Sequence, residues 1–273
     1  MSFPNRPIDR RGLMAGLLAF ALAITAIEAR ADSAIDLDLY ARLLQTHTRS
    51  VPDIVGTRVD YRALRESPEW ARLVQQVHSA RPSRLKTRDQ KLAFWINAYN
   101  ILAIDLVAKH YPVSGIKEIG SFLSPVWDRE VARIEGQPYS LGSIEHGILR
   151  KMGEPRIHAA IVCASVSCPP LSRKPFRPET LDADLSAAMK AFLANRRKGF
   201  VLDRRNHVVR LSKIFDWFED DFASTGGVLA SIMPHLVPED AAWLRAHGSD
   251  ATIRYFDYDW SLNDLASDDT AGT

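Results

Sequence analysis

The feature that most constrains the fold is a long helical segment without a polar face. A capping box at residues 87–90 predicts that a helix begins there, and the pattern continues to about Lys109. Almost every residue at positions 92–107 is apolar, and a helix that is apolar all round lies in a protein interior. Asn97 and Asn100 interrupt this segment. We therefore expect both amides to be buried and hydrogen-bonded, Asn97 across to the segment that carries the cysteines or to the helix that carries Glu145.

Shorter patterns on both sides of this helix indicate an α+β protein. They predict helices at residues 35–45, 69–79, 141–150, 181–194, 212–222 and 238–247, and hairpins at residues 131–140 and 200–211. Helices and hairpins do not alternate as βαβ units, so we expect a single compact α+β domain. In it, the apolar core helix packs on a small mixed or antiparallel sheet. Residues 32–265 contain no repeat or dividing linker, and residues 266–273 are expected to be a disordered tail.

The first 31 residues resemble an export signal that is removed. Three arginines precede a short apolar run at residues 12–27, and Ala29-Arg30-Ala31 is a small-residue cleavage site. The pair Arg10-Arg11 suggests the twin-arginine route over the Sec route, although Asp9 replaces the usual Ser or Thr. The sequence therefore predicts a periplasmic protein that begins at Asp32 and is not inserted stably in a membrane after cleavage.

The charge balance excludes one class of function. The whole chain carries a net charge of +2, and the predicted signal holds four Arg, one Asp and one Glu, which is also +2. The remaining chain is thus close to neutral. A nucleic-acid-binding protein needs a basic face, so we predict no nucleic-acid partner.

The segment at residues 156–171 concentrates the candidate chemistry. It reads RIHAAIVCASVSCPPL and holds both cysteines of the chain. Alternation predicts a strand that carries His158 and a buried Cys163, followed by a loop that exposes Cys168 before two prolines. The pair has three interpretations: a disulfide, a nucleophilic cysteine assisted by a histidine, or a metal site. The C-x4-C spacing and the lack of an obvious fourth ligand disfavour the metal site, so we predict no metal and no cofactor.

The neighbouring helix adds two further candidates, Glu145 and His146. Adjacent helical residues do not face each other, so these two cannot form a simple local dyad, and Glu145 is free to meet His158. A short link joins this helix to the cysteine segment, so we expect Glu145, His146, His158, Cys163 and Cys168 to converge in one pocket. The predicted catalytic group consists of these five residues. The predicted ligand-binding or orienting group consists of Asn97, Asn100, Trp95 and Arg156.

Four motifs in the chain resemble those of the domain-of-unknown-function 547 (DUF547) family. Residues 94–100 (FWINAYN) resemble its F-W-I-N-x-Y-N signature, and residues 144–150 (IEHGILR) resemble its I-E-H-x-I-L-R helix. The cysteine segment resembles its R-x-H-x-A-L-x-C-x-x-x-S-C-P-P-L pattern, and residues 258–263 (YDWSLN) resemble its Y-D-W-x-L-N tail. The resemblance covers roughly residues 59–263. It implies family membership, but the family has no settled activity.

Two hypotheses about function remain. The first is a thiol-dependent hydrolase or transferase that acts on an amide or ester bond, with Cys168 as nucleophile and His158 as base. The second is a non-catalytic binding or scaffold module of the cell envelope, with a structural Cys163–Cys168 disulfide. Either would take a small-molecule or peptide-like ligand, and the sequence identifies no protein partner. A buried helix set against a His-bearing strand also suggests a distant relation to papain-like or transglutaminase-like folds, by fold analogy alone.

Overall fold

The computed structural model describes residues 35–121 and 124–266, and the predicted signal, residues 1–31, lies outside them. Within these ranges, the α-helices are α1 (Leu37–His47), α2 (Tyr61–Glu66), α3 (Pro68–Ser79), α4 (Arg88–His110), α5 (Leu141–Ile144), α6 (Leu181–Ala194), α7 (Ile214–Trp217), α8 (Val228–Ile232) and α9 (Pro238–His247). The strands are β1 (Thr48–Ser50), β2 (Thr57–Val59), β3 (Glu130–Ile134), β4 (Gln137–Ser140), β5 (Phe200–Asp203), β6 (Val208–Leu211) and β7 (Thr252–Tyr255).

The apolar helix predicted from the sequence is α4, the central element of the fold. The Thr87 side chain accepts from the N–H of Gln90, and the Gln90 side chain accepts from the N–H of Thr87, which confirms the capping box. Every residue from Leu92 to Ala108 is buried. Helices α2, α3 and α5 and strand β3 pack around it. Its length and hydropathy would suffice to cross a bilayer, but 94% of its apolar window is buried inside the protein, as expected for a core helix.

The two asparagines of α4 are buried, as predicted, and each holds a separate loop. The Asn97 amide donates to the carbonyl of Phe176 at 2.7 Å and accepts from the N–H of Phe176 at 3.0 Å. The predicted partner of Asn97 was wrong, because it is Asn100 that bonds the cysteine segment. Asn100 donates to the carbonyl of Ala160 at 2.9 Å and accepts from the N–H of Val162 at 2.8 Å. Each amide replaces a backbone partner that these irregular segments lack.

The strands form three small sheets. Strands β1 and β2 pair antiparallel, and β3 and β4 form a hairpin that turns at Glu135-Gly136, both with positive φ. Strands β5 and β6 form the second predicted hairpin, and β7 adds to β6 in parallel, with Leu211 opposite Tyr255. Helices therefore surround small antiparallel and mixed sheets in one compact α+β domain, which confirms the predicted fold class.

The predicted strand in the cysteine segment, residues 156–171, is not formed. Pro155–Ala159 is a 3-10 helix, and the residues after it make no strand ladder. Their polar groups are satisfied by other elements: Val162 donates to Asn100, and two further N–H groups donate to carbonyls within residues 259–261. The alternation of apolar residues reflects the burial of an irregular segment, since burial alone does not require a pleated backbone.

Three further local predictions need correction. The predicted helix at residues 141–150 begins as α5 but widens to a π turn at Glu145–Leu149. The predicted helix at residues 212–222 is the short α7 followed by the 3-10 helix Glu219–Thr225. The sequence also predicts that Thr180 caps the helix at residues 181–194. Helix α6 has these bounds, but Thr180 does not cap it, because its hydroxyl donates to the Asp184 carboxylate. Periodicity reports which residues are buried and does not distinguish the hydrogen-bond register of α, π and 3-10 turns.

Candidate functional site

A cavity of about 290 Å³ lies where two hydrophobic clusters meet, one around α4 and one beneath α6, α7 and the β5–β6 hairpin. Six aromatic rings line it: Tyr99, Trp127, Trp217, Phe218, Tyr258 and Trp260. The five residues predicted to converge also line it: Glu145, His146, His158, Cys163 and Cys168. The predicted convergence is therefore present, and what these residues can do depends on their contacts.

The two cysteines form a disulfide, with their Cα atoms 6.3 Å apart. Their accessibility is the reverse of the prediction. Cys168 is 2% exposed, whereas Cys163 is only partly buried at the cavity. The prediction relied on loops being accessible. Here the loop is anchored inward, because the ammonium of buried Lys198 donates to the carbonyl of Cys168 at 2.5 Å.

The sulfur atoms accept hydrogen bonds from a tyrosine hydroxyl and a backbone N–H. The Tyr258 hydroxyl lies 3.3 Å from Cys163 Sγ and 3.2 Å from Cys168 Sγ. The N–H of Cys163 also donates to Cys168 Sγ, at 3.1 Å. Within the part of the chain that the structure describes, neither sulfur is hydrogen-bonded to a histidine. A cysteine–histidine pair of the kind that activates a nucleophile is therefore not formed in this state.

His158 belongs instead to a hydrogen-bonded network with Asp221 and Arg150. His158 Nε2 lies 2.7 Å from Asp221 Oδ2, and Arg150 donates to both oxygens of the same carboxylate, at 2.6 and 2.9 Å. The His158 ring also stacks on Phe218, with centroids 4.2 Å apart. His146 is exposed and contacts Arg150, at 3.2 Å from Nδ1. The predicted meeting of Glu145 with His158 was therefore wrong.

The network fixes the protonation of its members. Burial acts to raise the pKa of Asp221, but hydrogen bonds from His158 and Arg150 bring that pKa well below its usual value, so the group is a carboxylate. Burial lowers the pKa of His158, and Asp221 opposes this effect. Because Asp221 can only accept, His158 Nε2 carries the proton and donates. The remaining ring nitrogen, Nδ1, then holds the lone pair in the neutral imidazole.

Glu145 is a second cavity residue whose pKa is shifted from its ordinary value. Burial raises the pKa of Glu145 to about 7; the hydrogen bond from Tyr99 and the charge of Arg150 oppose this shift, and Asp221 adds to it. The Tyr99 hydroxyl donates to Glu145 Oε2 at 3.2 Å. At neutral pH this carboxyl therefore exchanges between its protonated and its charged form. Perturbed groups that converge in an apolar cavity are typical of a functional site.

Glu145 should make stability depend on pH. The folded-state pKa of about 7 lies above the ordinary 4.5, so between these values the folded protein holds a proton that the unfolded chain has released. Its contribution to the free energy of unfolding is complete below about pH 4.5 and is lost as pH rises through about 7. As pH rises from about 5 to about 8, the free energy of unfolding of Glu145→Gln should increase by on the order of 2 kcal/mol relative to that of wild type. Urea unfolding at both pH values measures this.

Glu179→Gln serves as the control for that experiment, because Glu179 is exposed on the loop before α6. Its difference from wild type should be the same at both pH values. A Glu145→Gln difference that also stays constant would contradict a partly buried Glu145 with a pKa of about 7.

The four predicted ligand-binding or orienting residues lie outside the cavity lining. Asn97 and Asn100 hold loops, as described above. Trp95 is buried in the core, with its ring 5.1 Å from those of Phe94 and Tyr139. Arg156 pairs with Glu154 and Asp182 at the start of α6. Among these four, only Asn100 acts on the site, by holding the backbone of the cysteine segment.

Sequence reasoning missed several residues that shape the site. Asp221 lies in an acidic run that carries no periodic or motif signal, and its partner His158 is 63 residues away. Arg150 and Tyr258 stand inside the motifs, but the sequence predicted no role for either. Their position in the motifs was the one signal available for them. Tyr99, Trp127 and Trp260 were predicted to be core residues first and pocket walls second, and they line the cavity. Among residues 35–121 and 124–266, no three His, Cys, Asp or Glu side chains are grouped in a way that could hold a metal ion.

The chain is similar to a known protein family over part of its length. Residues 82–193 match the family described as "Protein of unknown function, DUF547". This range contains α4, the Glu145 turn, the cysteine segment and most of α6, but the tail motif at residues 258–263 lies beyond it. No curated protein and no solved structure matches the chain, so the suggested relation to papain-like or transglutaminase-like folds stays a hypothesis. The similarity of this chain to the DUF547 family therefore extends over residues 82–193.

Proposed function

We propose that this chain is an exported protein of the cell envelope whose cavity binds a small-molecule or peptide-like ligand, with the Cys163–Cys168 disulfide as part of the wall. The observation that carries the proposal is the cavity itself, with six aromatic rings around a few convergent polar groups. Ligand sites typically combine an apolar wall with a small number of placed polar groups. Besides the disulfide and these six rings, the charged or titratable side chains that line it are those of Lys117, Glu145, His146 and His158.

A peptide-like ligand with an aromatic side chain fits this lining. The rings of Trp217, Tyr258 and Trp260 lie within 4.4 to 5.7 Å of one another and offer stacking surfaces. Trp217 is 43% exposed, an unusual position for a large apolar ring. The Glu145 carboxyl can accept a hydrogen bond from an amide N–H or, when protonated, donate one to a carbonyl.

The disulfide favours binding over thiol-dependent catalysis. A cysteine acts as nucleophile only as a thiolate, and a disulfide-bonded sulfur offers none. The sulfurs also lack a histidine partner among the described residues. Thiol titration of the isolated protein should find no free thiol before reduction and two after reduction in denaturant. If a free thiol titrates and the protein cleaves amide or ester substrates, the thiol-dependent hydrolase or transferase replaces the present proposal.

Export is part of the proposal and rests on the first 31 residues of the sequence. The disulfide is consistent with it, because disulfides persist in oxidising compartments. N-terminal sequencing of the protein from the periplasmic fraction should begin at Asp32. A sequence that begins at Met1, or a protein that stays with the membranes after a salt wash, would contradict export.

Calorimetric titration with two blocked amino acids tests the binding proposal. N-acetyl-phenylalanine amide should bind saturably, and N-acetyl-alanine amide should bind more weakly because it cannot stack. Trp217→Ala should weaken binding of the aromatic probe by about tenfold, as expected when one aromatic wall is removed. The exposure of Trp217 makes this substitution mild for folding.

Ile253→Ala is the matched control. Ile253 is also a large exposed apolar residue, 39% exposed, but it lies on β7 and does not line the cavity. It should leave the affinity unchanged. Equal affinities for the two probes, or equal losses in the two variants, would show that the aromatic wall does not form the binding site.

A further inference from the structure

We propose that the Cys163–Cys168 disulfide exchanges with thiols: a peptide dithiol bound in the cavity attacks Cys163, and Cys168 is the sulfur that leaves. This activity goes beyond ligand binding, because it assigns the disulfide a redox reaction with a defined direction of attack. It rests on three features of the described residues: the unequal exposure of the two cysteines, the backbone N–H that donates to Cys168 Sγ alone, and the aromatic surface next to Cys163.

The exposure of the two cysteines differs in the way that exchange requires. Cys163 is partly exposed and lines the cavity, whereas Cys168 is 2% exposed. An incoming thiolate must reach one sulfur, and the rate of exchange depends on which sulfur is accessible. Pro169 follows Cys168 and is itself buried, so the chain covers that side of the disulfide. Cys163 is thus the sulfur open to attack.

The buried sulfur is placed to leave as a thiolate. The N–H of Cys163 donates to Cys168 Sγ at 3.1 Å, and the Tyr258 hydroxyl lies 3.2 Å from the same atom. Hydrogen bonds to an ionised acceptor are roughly twice as strong as those to a neutral one, so both should strengthen as charge develops on Cys168. Burial raises the pKa of Tyr258, which therefore stays a hydrogen donor. The hydroxyls of Tyr258 and Ser165 also contact Cys163 Sγ, at 3.3 and 3.4 Å, but the backbone N–H donates to Cys168 alone.

The position of Lys198 also favours Cys168 as the sulfur that leaves. Its ammonium is buried and donates to the carbonyls of Cys168 and Val166, on the side of the loop that holds the leaving sulfur. Burial lowers the pKa of Lys198 to about 7, so in its ammonium form this side chain adds a positive charge to the Cys168 loop, and a positive charge there favours a thiolate. No such cation contacts the Cys163 side of the disulfide among the residues that the structure describes.

The reaction balances with a dithiol as the reductant. A substrate thiolate forms a bond to Cys163 Sγ, the Cys163–Cys168 bond breaks, and its electron pair leaves on Cys168. The second substrate thiolate then attacks the substrate sulfur of the mixed disulfide and releases Cys163 as a thiolate. The peptide loses two electrons and two protons and becomes a disulfide, and the protein becomes a dithiol. The reverse steps oxidise the protein at the expense of a peptide disulfide.

Two single variants of the exported protein test the direction of attack. In Cys168→Ser the free thiol is Cys163, and in Cys163→Ser it is Cys168. Each variant is incubated with glutathione disulfide under native conditions, quenched with acid and analysed by intact mass. We expect Cys168→Ser to form the mixed disulfide faster, by on the order of tenfold, because its thiol is accessible. Equal rates, or a faster Cys163→Ser, would overturn the assigned polarity.

A second measurement does not depend on the folding of those variants. Wild-type protein is treated with dithiothreitol in native buffer, and the reduced fraction is followed by alkylation and mass. The disulfide should be reduced without unfolding. Tyr258→Phe, which keeps the ring and the disulfide, should slow reduction by roughly fivefold, because the leaving thiolate loses one donor. Tyr255→Phe on β7 is the control and should match wild type.

Resistance of the native wild-type disulfide to dithiothreitol, with reduction only in denaturant, would overturn the proposal and leave a structural staple. That result would not affect the binding proposal, because the blocked amino acids carry no thiol. Conversely, native reduction without binding of the blocked amino acids would support exchange and contradict the proposed ligand. An unchanged rate in Tyr258→Phe would contradict stabilisation of the leaving sulfur.

Discussion

Replacing Gly199 with alanine is expected to lower the free energy of unfolding by about 4 kcal/mol or more. Gly199 lies between α6 and β5, and its backbone passes directly over the end of the helix. A Cβ atom there would lie inside van der Waals contact of the Phe192 carbonyl oxygen, 2.8 Å from the Phe192 carbonyl carbon and 3.0 Å from Leu193 Cα. These are backbone atoms of a helix, so they cannot move aside as a flexible side chain would.

The close approach is held by hydrogen bonds on both sides of Gly199. Its N–H donates to the Asn195 carbonyl at 2.7 Å, and its carbonyl accepts from the N–H of Ser212 at 3.0 Å. Gly147→Ala is the matched control, because a Cβ there meets nothing within 4 Å. Gly147 lies in the helical turn after α5, where alanine should be neutral or stabilise by up to about 1 kcal/mol. The urea midpoints of both variants, compared with that of wild type, measure these changes in stability. A Gly199→Ala midpoint close to wild type would contradict the packing of this turn.

Replacing Lys198 with methionine should cost about 3 kcal/mol. The buried ammonium donates to three backbone carbonyls, those of Val55 at 2.9 Å, Val166 at 2.8 Å and Cys168 at 2.5 Å. Methionine fills a similar volume but offers no donor, so three buried carbonyls lose their partner. Each such loss costs on the order of 1–3 kcal/mol, and removal of a desolvated charge offsets part of the sum.

Lys190→Met is the control for this substitution, because Lys190 is exposed on α6. It should change the free energy of unfolding by less than about 0.5 kcal/mol. Thermal and urea unfolding at one pH compare the two variants. Equal stability of the two variants would mean that water or rearranged backbone satisfies the three carbonyls without the lysine.

These two adjacent residues link the core to the candidate site. Gly199 fixes the turn at the end of α6, and that turn directs Lys198 into the interior. Lys198 then ties the loop at residues 51–56 to the loop that carries Cys168. The position of the disulfide at the cavity thus depends on a residue that contacts no ligand. Substitutions here should alter thiol exchange through the loop, while the aromatic wall stays in place.

The site shows which contacts follow from local sequence and which do not. The motif containing Glu145 and His146 placed both residues at the cavity, as the short link to the cysteine segment predicted. Their partners did not follow, because Tyr99 comes from α4, and Arg150 is tied to Asp221 from a different part of the chain. The pKa of Glu145 depends on these neighbours and on burial, which no local pattern encodes.

The sequence by itself determined the elements whose signals lie within a few residues. The capping box at Thr87, the apolar surface of α4 and the turn at Glu135-Gly136 each act through neighbours along the chain, so local propensity and tertiary structure agree. Burial of Asn97 and Asn100 also followed, since an amide inside an apolar helix has no route to water.

Only the tertiary structure decided the conformation of the cysteine segment and the accessibility of its sulfurs. The segment forms no strand because Asn100 and residues 259–261 satisfy its backbone in place of a neighbouring strand. Cys168 is buried because Lys198 anchors its carbonyl from 30 residues away. Both outcomes depend on hydrogen bonds between segments distant in sequence. Such bonds form only when the whole chain has packed, so no window of the sequence contains them.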